Sequence, residues 1–545
     1  MKQLIKFLVL GFGITFCSAQ KNVESDGQAK LVVGIIVDQM RYDYLTRFYN
    51  KYGDGGFKRM MNEGFNCKNN HYNYVPTATG PGHTSVFTGT TPKYHGIIGN
   101  DWYDKTIKKE VYCAEDDSVN PVGSGSDDDK MSPHRMMVTT FADENKLFTQ
   151  MRGKSIGIAI KDRGAIMPVG HTGDAAYWFH GSGIGKWVTS SYYMQDLPQW
   201  VKTFNSRKNI DSYLKTWNTL YDINTYTESG SDLNDFENGF KGKETATFPY
   251  DLKALKDQNW GYSIIKSSPF GNSLTTDFAL AAVDGEKLGQ DDITDVLTIS
   301  YSSTDYAGHN FGVNSKEIED MYIRLDKDLE RLFIALDNKV GAGNYTVFLT
   351  ADHGAVDVPS YLESVRIPGG DINSEEAKER FGKFMMTQFG TMELIEDISN
   401  SQVFLNKEKI RAMKLDLGHV QEIIADELID YPSVYKVYTA KAIHNSDFSG
   451  GIEELLQNGY NQKRSGDVII VHSPTVVPYS KKGSSHGSGY VYDTHVPLLF
   501  FGHGIKHGET VKKTRITDIA PTISAMLGIA FPNAATGQPL EFVLD

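Results

Sequence analysis

Four nearly continuous apolar runs constrain this chain more than anything else in it. They are Leu31–Val37, Ser155–Ile160, Val296–Ser300 and Tyr345–Ala351, with Val496–Phe501 as a fifth candidate. Runs that do not alternate with polar residues read as strands buried on both faces, the habit of parallel sheets. A parallel sheet needs crossover helices, and one is legible between two of the runs. Over Lys316–Asp337, apolar residues recur at Ile318, Met321, Tyr322, Leu325, Leu329, Leu332, Phe333 and Leu336. That spacing predicts a helix, with Asn314 and Glu317 as a cap-like start. A second helix is expected after Thr517-Asp518, with Pro521 in its first turn and Gly528 past its end. Alternating strands and helices imply an α/β, doubly wound and mainly parallel sheet.

At 545 residues, length alone suggests three or four domains or one elaborated α/β domain. Two stretches break the rhythm and read as insertions or a small cap. Residues 185–275 are rich in Tyr, Trp, Asn and Ser; residues 360–480 hold a helix candidate at His419–Ile429 between β-like pieces at Val403–Leu405 and Val434–Tyr438. Ser124–Lys130, with three consecutive aspartates, reads as a solvated loop. A net charge of −13 argues against coating a nucleic-acid polymer. No segment after the N-terminal one approaches the ~20 apolar residues of a membrane span, so no stable insertion is expected.

The N-terminus speaks for export. Lys2 and Lys6 precede a short apolar run, and Cys17-Ser18-Ala19 ends it as a small-residue cleavage site. Residues 1–19 therefore read as a secretory signal peptide, with Ile14-Thr15-Phe16 unfavourable for lipidation of Cys17, and residues 20–545 as the exported, periplasmic or secreted chain. Its two remaining cysteines, Cys67 and Cys113, are available for a disulfide, but their separation is not in the sequence.

In an open α/β sheet, sites form beyond the carboxyl ends of the strands. Leu31–Val37 ends in Asp38. Val296–Ser300 leads to Asp305 and His309. Tyr345–Ala351 leads to Asp352-His353-Gly354, and His486 sits in a polar Gly/Ser loop. Any one of these is an ordinary turn former or structural histidine. Together they supply the oxygen and nitrogen ligands of one or two zinc ions. Thr79 lies in Thr77-Ala78-Thr79-Gly80-Pro81-Gly82-His83, a broken turn before a helix-like stretch, where a hydroxyl sits in the anion-favouring field of a helix N-terminus. His83 and His95 are read as structural.

Asp38, Thr79 before Gly-Pro-Gly-His, Asp305 with His309, Asp352-His353-Gly and the late His486 resemble the alkaline phosphatase superfamily. The threonine and Gly99-Asn100-Asp101-Trp102-Tyr103 are similar to the bacterial phosphate-irrepressible alkaline phosphatases, relatives of the nucleotide pyrophosphatase/phosphodiesterases. The likeness runs from about Lys30 to Leu544 and includes Thr517–Thr522. It implies an alkaline phosphatase-like sheet with helices on both faces and inserted cap subdomains. It also implies two Zn²⁺, one held by Asp305, His309 and His486, the other by Asp38, Asp352, His353 and the Thr79 oxygen. Asn100, Lys161 and Arg163 would lie on the phosphoryl oxygens.

With three aspartates and a Thr79 alkoxide balancing two zinc ions, Lys161 and Arg163 leave a surplus of two positive charges. That surplus matches a small phosphate monoester dianion, hydrolysed through a phosphothreonine. The nearest alternative is a phosphodiesterase using the same threonine and metals. A sulfatase would need a Cys/Ser-x-Pro-x-Arg motif that Thr79–His83 lacks, and a lapsed binding protein would need a broken residue set. The oligomeric state has no signature in the sequence.

Overall fold

Leu31–Val37 is a wholly buried strand at the centre of a ten-stranded sheet. In the computed structural model, which describes residues 27–372, 374–477 and 481–545, it pairs in parallel with Asp295–Tyr301 on one side and Tyr345–Thr350 on the other. Ser155–Ala159 and then Ala175–His180 continue the parallel array. The expected signal peptide, residues 1–19, lies outside the described residues.

Two expectations about the sheet need correcting. The Val496–Phe501 run is a strand, Leu498–Gly502, but it lies antiparallel to Tyr345–Thr350. Direction depends on the route of the chain between strands, which apolar composition does not encode. The fifth parallel strand is instead Ala175–His180, whose Ala-Ala-Tyr-Trp-Phe-His sequence lacks the aliphatic run of the other four. Phe65–Cys67 and Gly508–Thr510 extend one edge, and Lys186–Ser190 and Pro121–Val122 the other. The sheet is therefore mixed, with its parallel strands in the middle.

The helix over Lys316–Leu336 follows the expected apolar stripe, but its cap is Ser315, whose hydroxyl accepts the Ile318 N–H at 3.1 Å. Asn314 instead accepts from Arg47 and donates to Asp357. Ile519–Leu527 ends at Gly528 in the left-handed conformation, as its sequence predicts.

Within residues 360–480 the chain forms a four-stranded sheet ordered Ile395–Ser399, Gln402–Leu405, Val468–His472, Val434–Thr439. Its own apolar cluster includes Val403, Leu405, Val420, Ile424 and Val468. The helix there runs Leu417–Leu428, earlier than expected because Asp416 caps the His419 N–H. The 185–275 stretch begins in the Lys186–Ser190 strand of the main sheet and continues in short turns. Its Trp217 and Tyr250 pack on Phe311, at the end of helix Ser303–Phe311.

Asp129 departs from the loop reading of Ser124–Lys130. It is buried and accepts from Trp178 Nε1 and His180 Nδ1, each at 2.7 Å. Cys67 and Cys113 are both buried and unpaired, and burial pushes the Cys67 thiol up to about 12.

Candidate active site

The carboxyl ends of the parallel strands deliver the predicted residues to one place. Asp38 directly follows Leu31–Val37. Lys161 caps helix Asp162–Val169 two residues beyond Ser155–Ala159, and Arg163 lies in that helix's first turn. Asp305 and His309 share one face of helix Ser303–Phe311, four residues apart. Asp352 and His353 follow Tyr345–Thr350.

Thr79 is the first residue of helix Thr79–Thr88, so Gly80-Pro81-Gly82 form its first turn rather than a break before it. The glycines have a steric reason. A Cβ on Gly82 would stand 2.4 Å from the Asp352 carbonyl oxygen, so only glycine lets the helix approach the strand end. Gly483, at φ +71, plays the same part for the His486 loop, where a Cβ would meet the His309 carbonyl at 2.0 Å.

Asp38, Asp352 and His353 offer ligand atoms that all lie within 4.8 Å of one another, and so do Asp305, His353 and His486. His353 belongs to both groups, and its ring stacks on His486 at 3.5 Å between centroids. His309 Nε2 reaches Asp305 Oδ1 at 3.1 Å. A common device aims the three imidazoles. His309 Nδ1 bonds the Ser484 carbonyl at 2.8 Å, His353 Nδ1 the Gly354 carbonyl at 3.0 Å, and His486 Nδ1 the Thr77 carbonyl at 2.8 Å. Each ring therefore carries a proton on Nδ1. Burial keeps His353 and His486 neutral, so each turns an Nε2 lone pair inward, as a metal ligand requires. Burial would lower the His309 pKa too, but its Nε2 pairs with Asp305, which raises it.

The first group has unmet demand. Asp38 Oδ1, Asp352 Oδ2 and His353 Nε2 are buried without a hydrogen-bond partner. Three such atoms converging would be costly unless a cation joins them, so the donor set fits a zinc-type ion. Burial holds the Asp38 carboxyl well above its ordinary range and Asp352 at about 6. Burial likewise lowers His353 to about 3, keeping it neutral. Asp305 behaves in the opposite way. Burial works against its ionisation too, but His309 and Lys161 beside it outweigh that and hold it well below 3.8.

The cationic groups gather on Thr79. Lys161 Nζ lies 2.7 Å from Asp38, 2.6 Å from Asp305 and 3.2 Å from Thr79 Oγ1. Arg163 Nη2 is 3.5 Å from the same hydroxyl. Asn100 Oδ1 accepts the Gly80 N–H at 2.8 Å, so its NH₂ is the group it can offer a ligand. Thr79, Asn100, Lys161, Arg163, His309 and His486 line a cleft of about 610 Å³ between the main sheet and the cap sheet.

His83, read from the sequence as structural, has Nδ1 2.9 Å from the Thr79 carbonyl and 3.4 Å from Asp352 Oδ2, and Nε2 2.8 Å from the Ser300 hydroxyl. His95 bonds Ser85. Two contributors escaped the sequence reading. Gln39, at φ +64, donates its backbone N–H to Asp352 at 3.1 Å and its side-chain amide to Asp305 at 2.7 Å, tying the two groups together. Tyr112 donates to Asp162 and accepts from Arg163 Nη1 at 3.0 Å, steering the guanidinium. The only signal for Gln39 is its place directly after Asp38; Tyr112 has none.

The family model for type I phosphodiesterase / nucleotide pyrophosphatase matches residues 32–496. Alkaline phosphatase PafA of Elizabethkingia meningoseptica is 46% identical over 94% of each chain. A Myroides odoratus protein named calcium-transporting ATPase is 44% identical over 95% of each. A crystal structure of wild-type alkaline phosphatase PafA superposes with a TM-score of 0.91 at 45% identity, covering 95% of this chain and 99% of that one. The chain belongs to the type I phosphodiesterase / nucleotide pyrophosphatase family, within the alkaline phosphatase superfamily.

Proposed function

We propose that this protein is an exported alkaline phosphatase that hydrolyses small phosphate monoesters through a phosphothreonine at Thr79. The observation that carries the reading is the convergence of Lys161 and Arg163 on the Thr79 hydroxyl, beside two acid–imidazole groups. The 46% identity to an alkaline phosphatase supports the monoester side of the family. Residues 20–545 form one α/β catalytic unit with inserted cap elements, and residues 1–19 direct it to the periplasm or beyond.

Asp305, His309 and His486 would hold one zinc ion, and Asp38, Asp352, His353 and the Thr79 oxygen a second. Bound there, the pair supplies Lewis-acid activation of the threonine hydroxyl and neutralises charge on the departing oxygen. The chain's own residues do the rest. Thr79 Oγ1 attacks phosphorus in line with the ester oxygen, forming the Oγ–P bond as the P–O ester bond breaks and the alcohol leaves. Lys161, Arg163 and the Asn100 NH₂ stabilise charge on the remaining phosphoryl oxygens. Water then attacks the phosphothreonine, releasing phosphate and restoring the hydroxyl.

Acid quenching of the zinc-loaded enzyme with an aryl phosphate tests this. Phosphate is expected on residue 79 of the native chain and absent from Thr79→Ala, whose steady hydrolysis is also lost. Steady turnover by Thr79→Ala would overturn the assignment. The phosphodiesterase reading, an activity for which the family is named, is tested by a matched aryl diester, expected to react far more slowly than the monoester.

A further inference from the structure

Asn100 lies just before the paired strands Asp101–Asp104 and Lys109–Tyr112, in a short loop held from three directions. Gly80 N–H donates to its side-chain oxygen at 2.8 Å, and Cys113 N–H to its carbonyl at 2.8 Å. The third bond comes from the cap, where Asn400 Nδ2 donates to the Asp101 carbonyl at 2.5 Å. The approach is close: a Cβ on Gly99 would come within 2.9 Å of Asn400 Nδ2.

Asn400 and Ser401 are the two-residue turn between cap strands Ile395–Ser399 and Gln402–Leu405, with Ser399 opposite Gln402. Both have positive φ, 50° and 56°. A two-residue hairpin turn of the type I′ form requires that at both positions, and asparagine tolerates it where most side chains do not. Ser401 is fixed in turn by His472, whose Nε2 lies 3.1 Å from its hydroxyl. The tip is also the site-ward end of a longer seam. Further out, the Tyr103 ring packs on Phe404 at 5.5 Å, Lys105 Nζ donates to the Ser465 carbonyl at 2.6 Å, and Lys108 pairs with Glu408 at 2.8 Å.

We propose that Asn400 is a positioning residue for the phosphatase reaction. Through the Asp101 carbonyl the cap's turn braces the Gly99–Asp101 loop and aims the Asn100 NH₂ at the phosphoryl oxygens. This rests on the reading that Asn100 contacts the phosphoryl group. The cap then completes the site from outside the main sheet, without touching the reacting atoms itself.

A double-mutant cycle tests it. Asn400→Gly keeps the left-handed turn and removes only the amide. In the otherwise native enzyme it is expected to lower kcat/KM for an aryl phosphate by about three- to tenfold, the range one neutral hydrogen bond supports, and to weaken inhibition by inorganic phosphate alike. In an Asn100→Ala background the same change is expected to cost less than about twofold, since there is no longer an amide to aim. Asn400→Asp, which also tolerates the turn but cannot donate, repeats the cycle where the glycine variant is unstable. Equal losses in both backgrounds, or no loss in either, overturn the brace. If Asn100→Ala alone leaves the monoester rate unchanged, the assignment of Asn100 fails and the brace falls with it.

Discussion

Asp352 and Asp305 are the same residue type, both buried at the carboxyl edge of one sheet, and their carboxyls are pushed in opposite directions. Asp352, grouped with Asp38 and His353, is raised to about 6 by burial and keeps one oxygen without a partner. Asp305 is held well below the usual range because His309 and Lys161 sit against it. Exposure differs too: the His353 side chain is fully buried, whereas that of His309 is 41% exposed. An unmet buried carboxylate raises the value of an added cation, while a buried carboxylate already compensated by His309 and Lys161 gains less from one. The group of Asp38, Asp352 and His353, the inner one, is left with buried atoms that a cation would satisfy, whereas Asp305 in the outer group already has its charge partners.

The sharpest way to break this comparison is to remove one ligand from each side. Asp352→Ala is expected to lose tightly bound zinc and nearly all phosphatase activity. His309→Ala should retain the inner ion while losing rate. Metal analysis of the purified variants decides it, and equal metal loss in both would erase the distinction.

Next in size is Lys161→Ala. One preorganised charge contact is worth ~10²–10³ in rate, and that loss is expected for an aryl monoester, with far less for the matched diester. A uniform loss on both substrates would mean that Lys161 supports the carboxylates and not the phosphoryl group.

Gln39→Ala cuts the link between the groups. Residues that orient metal ligands typically contribute ~10–100-fold, so activity or zinc affinity should fall by that order. Unchanged affinity and rate would show the two groups to be independent.

The smallest effect is read in pH. A ligand must shed its proton to bind metal, so protonation opposes binding. With Asp352 at about 6 and Asp305 held far lower, zinc affinity of the inner group should weaken as pH falls from 7 to 5. Below the carboxyl's pKa the loss approaches about tenfold per pH unit for each proton displaced. Competitive zinc titrations at the two pH values measure it, and a flat response would show that burial does not govern the inner acid.

Much of this site was legible because the strands that carry it are strongly apolar and end abruptly in acids and histidines. Asp38, Asp305 and Asp352 stand out by that contrast alone. The rest was hidden for physical reasons. Ala175–His180 is buried through small and aromatic side chains, so no aliphatic run marks it. The reversal of Leu498–Gly502 is a property of chain routing. Ser315 and Asn314 are both good caps, and only the competing bonds of Asn314 to Arg47 and Asp357 decide between them. Gln39 and Asn400 are neutral amides whose parts depend on partners more than 250 residues away.

Gly82 has no side chain to react, bind or donate, yet it gauges the gap between the helix that begins at Thr79 and the strand end that bears Asp352. In a library of variants this position would register as intolerant while offering no reactive group to explain it. Attempts to transplant the threonine and its ligands onto another scaffold would have to copy that blank position first. The smallest residue in the motif works as a spacer with a fixed tolerance.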